Sequence, residues 1–154
     1  MVCMHWINDR RGLFVKLDAG EDLFESLEAI AAKELQNGGM ILMAIGMLKN
    51  SVVGYYNGTN YTKRTLEKGH ELLGLHGSIR VIDKSEESKA TRIDMHIHCM
   101  LANDRHEVVG GHLFSAVVDP LVEMLIIPAE ESRITVELNE KTGLREMRVD
   151  KIGE

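Results

Sequence analysis

Cysteine and proline are nearly missing from this chain, with two of each in 154 residues. Cys3 and Cys99 are too few for a disulfide framework, which fits a reducing compartment. The scarcity of proline, with no low-complexity segment and no internal repeat, excludes a proline-rich linker or a solenoid. Long apolar runs are absent too. The longest, residues 38–48, is too short to span a bilayer and reads as a buried strand. The opening MVCMHWINDRR has no apolar core of signal-peptide length behind a basic start. A cytoplasmic protein with no membrane partner is the expectation. Clustered basic charge is lacking as well. The net charge is −6, and Arg10–Arg11 is the sole local basic cluster, read as a solvated terminus. Attraction to phosphate backbones comes from clustered Lys and Arg, so this balance argues against direct DNA binding.

What the chain does have is the composition of a globular protein, 44% hydrophobic and 27% charged. It is long enough to bury a substantial core, and residues 1–154 are expected to form one domain.

Residues 13–17 alternate apolar and basic side chains and read as a strand. Asp18-Ala-Gly-Glu-Asp22 follows as a turn whose acids suit a helix N-terminus. Residues 21–36 then read as a helix, with Phe24, Leu27, Ala31 and Leu35 on one face, and Asn37-Gly38-Gly39 stops it. The rest reads as mostly β. Strands are expected at 40–48 and, after a turn at Asn50–Ser51, at 52–56. The tetrad Asn57-Gly-Thr-Asn60 is a hairpin turn, because Asn and Gly tolerate positive φ. Further strands are expected at 61–66, 71–82 and 91–101, with a polar loop at 83–89. Residues 103–106 read as a turn before a strand at 107–118. Asp119–Pro120 is expected to break that strand before 122–127. A last hairpin joins 134–138 to 144–149. The fold class is therefore α+β, a largely antiparallel sheet or barrel-like core carrying one or two helices.

Of the seven histidines, three form a pattern. In Asp94-Met-His-Ile-His98 two histidines stand two apart on a predicted strand, so His96 and His98 share a face. A hairpin loop centred on Arg105 pairs positions whose numbers sum to 210. That sets His98 opposite His112, with His96 one diagonal step away, and opposed residues have Cβ atoms about 5 Å apart. Three imidazoles meeting on one face suit zinc, for which three protein ligands and one open position is the catalytic pattern. Imidazole also suits other divalent transition metals. A slip of one residue in register would turn His112 to the opposite face.

Gly110 and Gly111, beside His112, mark a bulge or a close approach of backbone or ligand to the site. Glu71, at the start of a strand, is the candidate catalytic carboxylate, able to ligate, to orient a histidine or to move a proton. An exposed strand-end acid is the plain alternative. Cys99 should face away from the histidines into the core, and Met43, Met47, Met95 and Met124 read as core fillers. His5, His70, His76 and His106 have no assigned partner, with His106 in the turn close to the site mouth.

Taken in order, Gly20-Glu-Asp-Leu23, Ala44-Ile-Gly-Met47, Gly54-Tyr-Tyr56, Glu71-Leu-Leu-Gly-Leu-His-Gly77, His96-Ile-His98 and Gly110-Gly-His-Leu113 resemble the PPC (plant and prokaryote conserved) domain. This is a predicted DNA-binding family, linked to AT-hooks in plants. The resemblance covers about residues 14–149. It implies an α+β fold with a central antiparallel sheet, assembled as a homotrimer, and a three-histidine metal site at His96, His98 and His112. The HxH…GGH arrangement also resembles, locally, the zinc site of acetolactate decarboxylases. The Arg-Gly-Arg-Pro core of an AT-hook does not occur here. The plant family's Gly-Arg-Phe/Tyr-Glu-Ile segment stands here as Gly69-His-Glu-Leu72, keeping Glu71 and altering the basic and aromatic positions. No counterpart of the decarboxylase's early acidic residue is found where this chain has Asn50 and Ser51. Three functions are weighed from these features: a zinc enzyme acting on a small oxygenated molecule, a non-enzymatic regulatory or interaction module, and a DNA-binding protein lacking an AT-hook, which the acidic charge opposes.

Overall fold

A computed structural model describes residues 4–82 and 92–153. Nine strands and one helix follow in the order β1 (His5–Asp9), β2 (Gly12–Asp18), α1 (Leu23–Glu34), β3 (Gly39–Tyr56), β4 (Tyr61–Leu66), β5 (His70–Ile82), β6 (Arg92–Ala102), β7 (Val108–Pro128), β8 (Ser132–Leu138) and β9 (Arg145–Lys151). The architecture is α+β and dominated by one sheet, as its alternating patterns predict. The expected loop at 83–89 and the first residue of the strand at 91–101 lie outside the described residues.

The helix is set by its ends. Asp22 caps it, its carboxylate accepting from the backbone N–H groups of Phe24 and Glu25, a cap of about 1 kcal/mol. Leu23, Leu27, Ile30 and Ala31 turn the buried face toward the sheet, while Phe24, expected on that face, is only partly buried. Gly38 follows at φ +86°, a left-handed conformation that leads the chain from the helix into β3. No helix among the described residues is long and apolar enough to cross a membrane.

Two expected breaks do not occur. β3 runs straight through Asn50–Ser51, because Asn50 adopts φ +49° and makes an irregularity in the strand, not a reversal. β7 likewise runs through Pro120, 21 residues in all from Val108 to Pro128. Proline has no N–H to donate, but Pro120 falls where the β3–β7 register shifts, between the Leu48–Val118 and Gly46–Val122 pairs, so the ladder loses nothing there. The sequence reading also missed β1, which pairs with β2 through the Arg10–Arg11 turn.

The two long strands close a ring of pairings. β3 pairs β7 along most of its length and β5 over its first half, and β6 bridges β5 and β7. Leu48, Leu75, Ile97, Leu101 and Leu113 are buried in one continuous hydrophobic cluster with α1. Each such side chain contributes about 1.5–3 kcal/mol by leaving water. The apolar run of β3 is not buried on both faces as expected. Ile41, Ala44 and Leu48 point into the core, while Met40, Leu42, Met43 and Ile45 are 40–54% exposed. Met43 is thus no core filler. Met124 is buried, and Met95 packs partly buried against the core.

Candidate metal centre

The β6–β7 hairpin carries the site, and its loop fixes the register. Asn103 folds the turn, its side-chain oxygen accepting from the backbone of Arg105 and Glu107 at 2.9 and 3.0 Å. Five ladder pairs follow, ending with His98 opposite His112. Ile97, Cys99 and Leu113 point into the core, so by the strand's alternation His96, His98 and His112 stand together on the outer face.

The three rings pack against one another, with centroids 4.9 Å (His96–His98), 5.2 Å (His96–His112) and 5.5 Å (His98–His112) apart. His96 Nε2 and His98 Nε2 are 3.1 Å apart. One nitrogen from each ring lies within 4.8 Å of the other two. Donors sharing one zinc ion stand roughly 3–4 Å apart, so modest ring rotation closes the set.

The electrostatics favour neutral His96 and His112. Burial, then the neighbouring His96 and His98 and the Arg80 guanidinium, lower the pKa of His112 from 6.5 to about 4, against a small opposing pull from Asp94. His96 is lowered for the same kind of reasons, burial first. A neutral imidazole presents a lone pair, so protons compete weakly with a metal at neutral pH. His112 Nδ1 is buried and has no hydrogen-bond partner. A buried polar atom without a partner is costly, and a metal or its bound ligand would satisfy it. The donor set and this orphan atom both fit a divalent transition metal.

The surroundings were less visible in the sequence. Tyr61 and Phe114 flank His112, with centroids 5.1 and 4.5 Å away. Asp94 sits two residues before His96 and pairs across the ladder with buried Arg80. Asp94 and Phe114 each stand two positions from a histidine, and that period-2 spacing was the available signal.

The other sequence candidates lie elsewhere. Glu71 pairs with Ala102, four positions along β6 from His98 and so about 13 Å away, and it is exposed. Gly110 and Gly111 make strand packing possible. A Cβ on Gly110 would strike the Cys99 carbonyl, and one on Gly111, at φ +148°, would come 2.5 Å from the Gly54 carbonyl oxygen. Cys99 is buried, as expected, and burial pushes its thiol up to about 11. His106 sits at the hairpin tip, φ +62°, remote from the cluster. His76, which has no partner by sequence pattern, stands on β5 opposite His98, and its Nδ1 donates to the Leu42 carbonyl at 2.7 Å.

This fold and hairpin are those of a recognised group. The chain belongs to the Plants and Prokaryotes Conserved (PCC) domain family, whose model matches residues 7–130. A metal-containing protein from Archaeoglobus fulgidus is 31% identical, with a TM-score of 0.71 over 94% of this chain and 96% of that one. A plant- and prokaryote-conserved protein from Pyrococcus horikoshii is 25% identical, with a TM-score of 0.73 over 95% and 97% of the two chains. A Bacteroides thetaiotaomicron protein, named provisionally as DNA-binding, shares the fold at a TM-score of 0.79 and 20% identity over 94% of this chain and 96% of that one. Among curated proteins, the bifunctional protein GlmU of a Synechococcus strain is 24% identical over 90% of this chain. The chain spans only 20% of that relative's length.

Proposed function

We propose that this PCC-domain protein holds one divalent transition metal, zinc foremost, through His96, His98 and His112, and that the metal acts on a small oxygenated molecule. The observation that carries this is the convergence of three imidazole nitrogens within 4.8 Å, with one buried nitrogen left unpartnered. A zinc ion so held supplies Lewis acidity toward a carbonyl or hydroxyl oxygen, or toward water. The three imidazoles fix its position, and the packing of Tyr61 and Phe114 against His112 keeps water from that flank. The metal-containing Archaeoglobus relative supports the same reading. Glu71, on β5 opposite Ala102, is too far from the histidines to touch the ion within one chain, and any proton-carrying role would need a second copy to bring it near.

A homotrimer is part of the proposal. Its support is the outward strip of Met40, Leu42, Met43 and Ile45 on β3, since apolar patches of this kind mark interaction surfaces. The scarcity of cysteine supports a cytoplasmic setting. The second reading is a regulatory module on nucleic acid, favoured by the name of the Bacteroides relative and opposed by the net charge of −6.

Elemental analysis of the untagged protein beside His98→Ala tests the metal, with about one ion per chain expected in the parent and none in the variant. Light scattering tests the trimer, and a monomeric mass would refute it. A gel shift with AT-rich duplex at low salt tests the second reading, and absence of binding there removes it.

A further inference from the structure

A row of side chains crosses four strands beside the histidines. On β4 Lys63 pairs with Gly54 of β3, Gly54 pairs with His112 of β7, and His112 pairs with His98 of β6. Opposed residues share a face, so Lys63 stands on the histidine face, two strand spacings of about 4.8 Å from His112. Between them Gly54 contributes no side chain. A Cβ there would come 2.6 Å from Phe114 and 3.2 Å from Tyr61, so those two rings occupy the gap. Lys63 Nζ lies 3.8 Å from the Phe114 ring centroid, and that ring packs 4.5 Å from His112. The ammonium is therefore held over the ring beside the histidines, and no carboxylate pairs with it among the described residues.

The nearby negative charge is already committed. Asp94 is bound by both Arg80 and Arg145. With a divalent ion on three neutral imidazoles, the face has an excess of positive charge and one ammonium free to meet an anion. A lone ammonium is a point charge of +1 without the bidentate fork of arginine, so it balances the single charge of one carboxylate.

We propose that the molecule taken at this centre is a small carboxylate, its charge met by Lys63 and its apolar part set against Phe114 and Tyr61. The inference rests on the metal centre proposed above, and one experiment separates the two. Wild type, Lys63→Met and Lys63→Arg are loaded with cobalt(II), metal content is measured, and each is titrated with lactate, its neutral analogue lactamide and inorganic phosphate by visible absorption. All three proteins should take up cobalt equally. Lactate should bind wild type more tightly than lactamide, about tenfold more weakly to Lys63→Met, and within about threefold of wild type to Lys63→Arg. Equal lactate affinity in wild type and Lys63→Met, with cobalt bound, overturns the carboxylate assignment alone. So does Lys63-dependent binding of phosphate with none of lactate. Failure of the wild type to take up cobalt overturns the metal centre and this inference together.

Discussion

The β5–β6 ladder presents two polar rows on its outer face, two residues apart, and they are resolved in opposite ways. At the Arg80–Asp94 pair the protein supplies its own partners. Arg80, 5% exposed, bonds Asp94 and the Arg145 carbonyl, and Arg145 bonds the other Asp94 oxygen at 3.0 Å. Only Arg80 Nε is left over. That network ties the β8–β9 hairpin to the sheet. In the histidine row next to it the rings contact one another and aromatic neighbours, and His112 Nδ1 contacts no polar partner. A protein can bury charge cheaply only with internal partners. The first row thus belongs to stability, and the second is the row that the proposed metal would complete.

The largest effect expected from breaking this contrast is on the histidine side. His112→Ala should weaken zinc binding on the order of a thousandfold or more, read by competition with a chromogenic chelator. The metal-free protein should lose little stability in urea, because an unsatisfied buried nitrogen goes with the ring. Asp94→Ala should behave in the reverse sense. It strands Arg80 and should cost about 3 kcal/mol in the same urea titration, while zinc still binds to the folded protein at one per chain.

A smaller effect sharpens the comparison through pH. The pKa of His112 is lowered in the folded state, from 6.5 to about 4, so between those values the unfolded chain binds more protons. Stability of the metal-free protein should therefore be full above pH 6.5 and fall as pH drops toward 4. The loss should be on the order of 1 kcal/mol after allowance for the ring's partial exposure, and His112→Ala should flatten it. The smallest expected effect is at Glu71. Glu71→Gln should leave zinc stoichiometry unchanged, and a loss of metal there would place the carboxylate at the ion after all.

The convergence of the histidines was legible because it depends on two local rules, alternation along a strand and the pairing arithmetic of a short hairpin. The helix was legible from Asp22 and Asn37-Gly38. The misreadings have a common cause. Asn50 and Pro120 are turn-formers by local chemistry, but long-range pairing with β7 and β3 carries both strands through as irregularities. The outward exposure of Met43, and the burial of Arg80 under its partners, depend on which elements cover which face. No local pattern encodes that, and for the same reason the Lys63–Gly54–His112 row appeared only once β3 was paired with β7.

The most direct test of the metal centre is X-ray absorption at the zinc edge of the zinc-loaded protein. Three imidazole nitrogens at about 2.0–2.1 Å, completed by oxygen, are predicted. A sulfur shell, or fewer than three imidazoles, would contradict the assignment of His96, His98 and His112 as the ligands.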